Sequence, residues 1–168
     1  MNTGNRYTGI LIFVLLACFT SCIKSPYYQK EYSLPQNAWQ YQFKPSFKFE
    51  ITDTTAAYNL FLHIRHTEAY PFSNVWVWIY TKQPGDSSFA KSRIEIPLAE
   101  PTGKWMGRGA GEIWEQRLAL TAGDKAMIFK KAGTYEIRME QNMRINPLPE
   151  VLQVGLRVEK VARNSNGS

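Results

Sequence analysis

Apolar side chains recur at every second position in several separate stretches of this chain, and this two-residue period most limits its fold. In residues 47–51, phenylalanine and isoleucine alternate with lysine and glutamate, and residues 135–139 alternate in the same way. Successive side chains of a β-strand point to opposite faces, so such segments are strands with one face in a core. The same pattern recurs in residues 58–64, 75–79, 94–98 and 152–158.

Turn-forming sequences separate these segments, among them DTT, QPGD, EPTG, TAGD and KAG. Helical periodicity is missing between most of the strands, which disfavours a fold of alternating strands and helices. One block, GEIWEQRLALTAGDKAMIF, fits either a short helix or two strands. We therefore expect an all-β fold, a single antiparallel, jelly-roll-like β-sandwich of about seven or eight strands behind an N-terminal signal peptide.

The start of the chain holds both of its cysteines, Cys18 and Cys22. Residues 10–19 are an apolar run too short for a membrane-spanning helix, which needs about 18 to 20 residues, and Arg6 is the one charge before them. A basic start, a short apolar core and small residues are typical of a secretory signal peptide. A cysteine directly after these elements indicates a bacterial lipoprotein signal, in which the chain is cut before a cysteine that then carries diacylglycerol.

Spacing favours Cys22 as the lipid-bearing residue. Cleavage before Cys18, after a Leu-Leu-Ala sequence that resembles a lipobox, leaves only about seven apolar residues in the core. Cleavage before Cys22 keeps the whole run, and the Ser-Cys ending resembles lipoprotein signals of the Bacteroidetes. A disulfide between the two cysteines and a free thiol at Cys22 are the weaker alternatives. Two or three acyl chains, such as palmitate, hold a protein in a membrane.

These patterns divide the chain into four parts. Residues 1–21 are the lipoprotein signal peptide, 22–45 the lipidated N-terminus with a tether leading into the domain, 46–162 the β-sandwich and 163–168 a disordered tail. Removal of the signal lowers the formal charge of +6 by one, because Arg6 is its only charged residue. Basic and acidic side chains are interleaved along the rest, so the sequence gives no support for nucleic-acid binding.

Residues that could carry chemistry are few. On a strand, His63 and His66 point to opposite faces, so they cannot hold one metal ion together, and we expect each at the surface or rim. Glu136 and Glu140 lie on the polar face of a strand. The segment GKWMGRGAGE lacks a phosphate-loop pattern and is expected to be a flexible loop. We therefore predict no catalytic residues, no metal, no cofactor and no enzymatic activity.

The segment NVWVWIY is apolar on both faces, with Val75, Val77 and Ile79 on one and three aromatic residues on the other. Such a strand is usually central and covered on both sides, which is the interpretation we favour. The alternative is an exposed aromatic stripe that stacks on sugar rings or docks a protein partner. That binding face comprises Trp76, Trp78, Tyr80 and Trp105, with Trp114 as a further extension.

The ordered set of segments EYSLPQNAW, FEITDT, LFLHIRHTEAYPFSNVWVWI, GKWMGRGAGEIWE and GTYEIRMEQNMRINPLPEVLQVGLRVEK resembles the gliding-motility lipoprotein family GldH of the Bacteroidetes. The resemblance covers nearly the whole chain after Cys22. It implies a role in the envelope machinery for gliding, which is linked to type IX protein secretion. The family provides no catalytic residues to transfer, and its lipidated cysteine corresponds to Cys22.

The leading hypothesis is a non-enzymatic, membrane-anchored component with an assembly or stabilising role, with other gliding or secretion lipoproteins as partners. A module that binds envelope glycan through Trp76, Trp78 and Tyr80 is the alternative. Surface display of Bacteroidetes lipoproteins is associated with acidic residues just after the cysteine. Here the first acid is Glu31, so we expect the periplasmic side of the outer membrane.

Replacement of Cys22 by serine should abolish lipid labelling and cleavage of the signal peptide, since the apolar core ends correctly only before that residue. The matched Cys18→Ser variant should keep both. Incorporation of a radiolabelled fatty acid and a gel shift of the precursor measure the two events. Equal labelling of the parent protein and the Cys22→Ser variant would overturn the assignment.

Overall fold

A computed structural model describes residues 25–121 and 125–161 of the chain. The signal peptide, Cys22 and the tail 163–168 lie outside the described residues, so their assignments stay predictions. Within the described ranges, no helix has the length and apolar character needed to cross a membrane.

The described residues form β-strands joined by turns, with one short 3₁₀ turn at Pro35–Asn37. Eight of the strands have six residues or more, and the others are short pairing segments. The strands are β1 (Tyr28–Ser33), β2 (Ala38–Trp39), β3 (Ser46–Ile51), β4 (Ala57–Thr67), β5 (Asn74–Lys82), β6 (Ala90–Pro97), β7 (Arg108–Ala110), β8 (Ile113–Thr121), β9 (Met127–Ile128), β10 (Gly133–Gln141), β11 (Leu148–Pro149) and β12 (Val151–Lys160).

Two antiparallel sheets contain most of these strands. The first sheet has the order β1-β12-β4-β8-β7, with β9 paired to the start of β4, and the second has the order β3-β10-β5-β6. A small ribbon of β2 and β11 closes one end. The predicted all-β antiparallel sandwich is confirmed. The ambiguous block 111–129 forms strands β8 and β9 rather than a helix.

Residue alternation places one row of each long strand between the two sheets. In β4 the inward row includes Leu60, Leu62 and Ile64, and in β5 it is Val75, Val77 and Ile79, all at most 4% exposed. A cluster of rings fills one end of this core, where Phe129 contacts rings from both sheets. Its partners are Phe49 at 5.8 Å, Tyr58 at 5.4 Å and Tyr135 at 4.5 Å between ring centroids.

Strand β1 lies where we expected a tether, so that expectation is wrong for Tyr28–Ser33. The strand forms one edge of the first sheet and pairs with β12 from Tyr28↔Val158 to Ser33↔Gln153. Two of its rings reach the second sheet: Tyr28 lies 5.5 Å from Phe49, and Tyr32 donates a hydrogen bond to the carbonyl of Ser46. Burial of these rings holds the segment against the domain.

The expected flexible loop at GKWMGRGAGE is partly a hairpin. Strand β7 pairs with β8 through a turn at Gly111, whose φ of +64° suits glycine. Gly107 also has a positive φ, and a Cβ there would lie 2.2 Å from the carbonyl oxygen of Glu115. This close approach requires glycine, because any side chain would push the backbone of β8 away.

Both histidines are buried, so the expectation of surface or rim positions is wrong, although they do face opposite sides of β4. His66 is fully buried and packs on Trp105 at 4.6 Å and Tyr70 at 5.4 Å, while its Nδ1 lies 2.8 Å from the carbonyl oxygen of Thr67. His63 lies on the outer side, 8% exposed and with Nδ1 3.4 Å from a carboxylate oxygen of Glu115.

Burial lowers the pKa of both histidines below the ordinary value. For His66 the hydrogen bond to Thr67 opposes this effect, and for His63 the charges of Glu115 and Glu31 oppose it, but burial is the larger cause in each case. An unfolded histidine takes up a proton near a pKa of about 6.5. The unfolded state therefore binds more protons just below that pH, and acidification favours it.

The free energy of unfolding should accordingly be highest above about pH 6.5 and fall as the pH drops toward the depressed pKa values of the folded protein. In the His66→Phe variant the free energy of unfolding should fall less steeply with pH, and the decrease that remains is due to His63. Chemical denaturation at a series of pH values between about 5 and 7.5 measures the slope.

The matched control is Tyr70→Phe, which changes a ring in contact with His66 but removes no group that titrates in this range. It should retain the parent slope. A parental slope in the His66→Phe variant would contradict the assignment of a buried, neutral imidazole.

Candidate functional site

The outer side of the second sheet carries the aromatic row of β5. Trp76, Trp78 and Tyr80 point away from the core and are half-buried. In the neighbouring strand β6 their direct partners are Glu95, Arg93 and Lys91, and cross-strand partners share a face of the sheet. We call this surface the aromatic–basic face; its members are Trp76, Trp78, Tyr80, Lys91, Arg93, Arg138 and Glu140.

Cationic side chains lie over the rings of this face. The guanidinium carbon of Arg93 is 4.1 Å from the ring centroid of Trp76, and the ammonium of Lys91 is 4.1 Å from that of Trp78. Lys91 also lies 5.1 Å from the Tyr80 ring. These are cation–π distances, and each such contact contributes about 0.5 to 1 kcal/mol at an exposed site.

Acidic groups of β10 complete the face. Glu140 accepts a hydrogen bond from the hydroxyl of Tyr80 and forms an ion pair with Lys44 at 2.9 Å. Burial alone would raise the pKa of Glu140, but the hydrogen bonds from Tyr80 and Lys44 outweigh it and hold the pKa below its usual value. The carboxylate is therefore ionised at neutral pH and fixes the position of the Tyr80 ring.

We favoured burial of β5 on both faces, and the structure only partly agrees. The strand is internal to its sheet, between β10 and β6. Its aromatic side is half-buried, with long cationic side chains over its rings. Sequence analysis missed Lys91 and Arg93, because their position over the rings depends on strand pairing. The segment KSRIEI has a charged residue at every second position, two of them basic, and this alternation is the signal that could have indicated them.

Trp105 does not join this row. Its ring packs against His66 and Tyr70 and belongs to the outer layer of the hydrophobic core. Trp114 also lies elsewhere, in β8 as the direct partner of His66, with its ring against Gly109. The expected extension of the aromatic stripe by these two residues is therefore wrong.

A basic groove adjoins the aromatic–basic face between the edge strands β1 and β3. It is open to solvent and encloses about 710 Å³. Lys44 and Arg138 border both surfaces, since Lys44 also lies 5.9 Å from the Tyr80 ring. The groove is lined by Tyr28, Lys30, Tyr32, Lys44, Ser46, Lys48, Glu136 and Arg138.

The single carboxylate of the groove is neutralised by its neighbours. Glu136 accepts hydrogen bonds of 2.6 Å from both Ser46 and Arg138. Burial would raise its pKa, but these bonds and the charge of Lys48 lower it instead. At the other wall, burial and the neighbouring Tyr32 raise the pKa of Tyr28 to about 12, although the backbone N–H of Lys48 opposes the rise. The groove therefore presents an excess of positive charge at neutral pH.

This arrangement of rings and cations is suited to binding a partner. Tryptophan, tyrosine and arginine are the residue types that contribute most to protein–protein interfaces. Among residues 25–121 and 125–161, no group of three or more histidine, cysteine, aspartate or glutamate residues is placed to hold a metal ion. The face and the groove together form one continuous surface of rings and charges along the second sheet.

Comparisons with known proteins give a consistent result. The model of the family described as GldH lipoprotein matches residues 26–158. A protein of Christiangramia forsetii named "Gliding motility lipoprotein GldH homolog" is 29% identical over 158 residues, which cover 90% of this chain and 93% of that protein. "Gliding motility lipoprotein GldH" of Flavobacterium johnsoniae is 30% identical over 163 residues, covering 92% and 97%.

Among solved structures, "Structure of infectious bursal disease virus Gx strain" aligns with 83% of this chain and 38% of its own, at 11% identity and a TM-score of 0.23. A similarity this low supports no inference. The two gliding-motility relatives and the family match span the sandwich from β1 to β12, and they are named for a lipoprotein rather than for an enzyme. The chain belongs to the GldH lipoprotein family.

Proposed function

We propose that this protein is a non-enzymatic component of the gliding-motility machinery and of the linked type IX secretion system, with an assembly or stabilising role. A lipid on Cys22 anchors it in the outer membrane, on the periplasmic side. Family membership supports the gliding role, and the sequence before residue 23 supports the anchor. The partners are other proteins of the same machinery, among them its lipoproteins.

The observation that carries the assembly role is the aromatic–basic face. Strand β5 has its inner row committed to the core, so its outer row is the part of the strand that another molecule can reach. On β5 that outer row consists of large rings, which cover much area at a small entropic cost when they are fixed. Their cationic neighbours offer charge-assisted hydrogen bonds to carboxylates of a partner.

A protein partner fits this face better than a glycan does. Sugar rings stack on open aromatic faces, but Arg93 and Lys91 already lie over Trp76 and Trp78. A glycan would have to displace these cations and lose their contacts with the rings. A partner that carries carboxylates can instead leave these cation–π pairs in place. Its carboxylates can accept hydrogen bonds from the guanidinium of Arg93 and the ammonium of Lys91, which both keep free donors.

Replacement of Trp78 by alanine should impair function while leaving most of the folding free energy. The ring is half-buried, so its loss should cost about 1 to 2 kcal/mol, well below the 3 to 5 kcal/mol typical of a core tryptophan. In a gliding host whose own copy is deleted, the variant should accumulate but fail to restore colony spreading. Co-purification of partners from the envelope should fall at least about tenfold, as expected for an interface anchor.

The matched control is Phe61→Ala. Phe61 lies on the outer side of the first sheet, half-buried, with the guanidinium of Arg117 at 3.6 Å from its ring centroid. This variant removes a similar ring–cation pair from the opposite surface and should keep spreading and partner capture. Equal effects of Trp78→Ala and Phe61→Ala, or loss of the Trp78→Ala protein by unfolding, would defeat the proposal that the face recognises a partner.

A further inference from the structure

The sandwich has two different ends, and the chain enters at one of them. At this end lie the start of β1 and β4 and the end of β12, and Tyr27 packs against Tyr58 at 5.2 Å. The hydroxyl of Tyr27 also donates a 2.8 Å hydrogen bond to the carbonyl of Glu50, at the end of β3. Tyr27 is thus fixed to both sheets. We call this the anchor end, formed by Tyr27, Ala57, Tyr58, Lys125–Lys131 and Lys160–Val161.

The covalent chain limits how far the anchor end can lie from the membrane. Five residue steps separate Cys22 from Tyr27, and an extended chain covers at most about 3.6 Å per step. Tyr27 therefore lies within about 18 Å of the residue that carries the lipid. A tether this short keeps the anchor end next to the headgroups of the bilayer.

Exposed apolar side chains concentrate at this end. Of the five large apolar residues with the highest exposure in the described ranges, four lie there: Ile128 at 57%, and Tyr27, Met127 and Val161 at 37% each. The fifth, Ile145, lies in the connection between β10 and β11, at the opposite end. A protein surface exposes apolar atoms at many places, but a cluster of whole apolar side chains indicates a contact surface.

Strand pairing shows how the cluster is built. The direct partner of Ile128 is Ala57, and the backbone N–H of Val161 donates to the carbonyl of the same Ala57. Ile128 in β9 and Val161, the residue after β12, therefore flank Ala57, about 5 Å to either side. The three residues form a continuous apolar row across the first sheet.

Lysines border this row. The segment KAMIFKK, residues 125–131, has three lysines around Met127 and Ile128 and contains no acid. Lys125, Lys130 and Lys131 are all exposed. Lys131 lies at 4.0 Å from Asp86, a distance at which the pair is loose, and Lys160 is paired with Asp53 at 2.7 Å. Apolar side chains between lysines are typical of peripheral segments that bind membrane surfaces.

We propose that the anchor end is a second membrane contact: Ile128, Met127 and Val161 enter the interfacial region of the bilayer, and the three lysines meet anionic headgroups. The inference rests on the proposed lipid at Cys22. The lipid confines the domain near the bilayer, so the patch acts at a high effective concentration and a weak intrinsic affinity suffices. The lipid attaches the domain to the membrane, and the contact of the patch determines the orientation of the domain.

The sequence after Val161 has no large apolar residue that would match the patch. Residues 162–168 read ARNSNGS, which is polar and carries one positive charge. A second copy of the protein would bring the same lysines against each other, and like charges in contact disfavour association. A lipid surface with negative headgroups is the occupant that matches both the apolar row and its basic border.

A single-cysteine probe tests the contact in the lipidated protein. The processed chain has no cysteine other than Cys22, whose sulfur is blocked by the lipid. An Ile128→Cys variant therefore takes an environment-sensitive fluorophore at one site. In vesicles of phosphatidylcholine with phosphatidylglycerol, its emission should shift to the blue and be quenched by lipids that carry a spin label. The same fluorophore at Ile145→Cys is the matched control and should stay in water.

A second measurement separates the patch from the anchor. Residues 22–168 with Cys22→Ser, produced without the signal peptide, carry no lipid, and this chain should bind phosphatidylglycerol vesicles weakly in a sedimentation assay. A Met127→Ser/Ile128→Ser double variant should reduce this partitioning at least about fivefold, and Ile145→Ser should leave it unchanged. Replacement of Lys130 and Lys131 by glutamine should remove the dependence on anionic lipid.

The outcomes divide cleanly. If the protein purified from membranes of its host fails to float with vesicles, the proposed lipid anchor is wrong. Vesicle binding by the Cys22→Ser chain then tests the membrane contact of the patch on its own. If the lipidated protein floats but the fluorophore at position 128 reports water, the patch proposal is wrong. A blue shift that rises with protein concentration in the absence of vesicles would assign the patch to a second copy and overturn it as well.

Discussion

The packing of two sheets against each other leaves each strand one face with which to meet other molecules. In β5, commitment of Val75, Val77 and Ile79 to the core directs the alternate residues outward. Those outward residues are Trp76, Trp78 and Tyr80, and pairing with β6 sets Arg93 and Lys91 beside their rings. A slip of one residue would bury cations and expose the inner row, so the core itself fixes the register of the ring–cation contacts. The surface chemistry of the second sheet is a consequence of its interior.

Sequence periodicity predicted the strands that have at least three successive apolar residues in the inner row, and it failed where a charged residue interrupts a short inner row. Strand β1 places Tyr28 and Tyr32 toward the second sheet, but Lys30 lies between them and breaks the apolar alternation. The ammonium of Lys30 lies over the Tyr32 ring at 4.6 Å, which accommodates the charge at the edge of the groove. An edge strand needs no complete apolar row, so its sequence carries a weaker signal.

The candidate site was predictable in part for a related reason. Alternation alone shows that Trp76 and Trp78 share a face, but the residues that cover this face come from β6 and β10, and their register is not a local property. His66 gives a second case. Its orientation opposite to His63 followed from spacing. Its burial depends on Trp105, which approaches from a distant part of the chain, and on Tyr70, which the turn after β4 places against the imidazole.

Fixing the anchor end at a bilayer would decide how the aromatic–basic face meets a partner. Strands of nine residues are about 30 Å long, so a domain that stands on its anchor end presents the row of β5 along the side, within that distance of the membrane. A partner held in the same membrane then finds the rings already oriented. Association of two such proteins loses less rotational freedom than association in solution, because the membrane has restricted each of them beforehand. A face with a low affinity in solution can therefore support a stable assembly at the membrane.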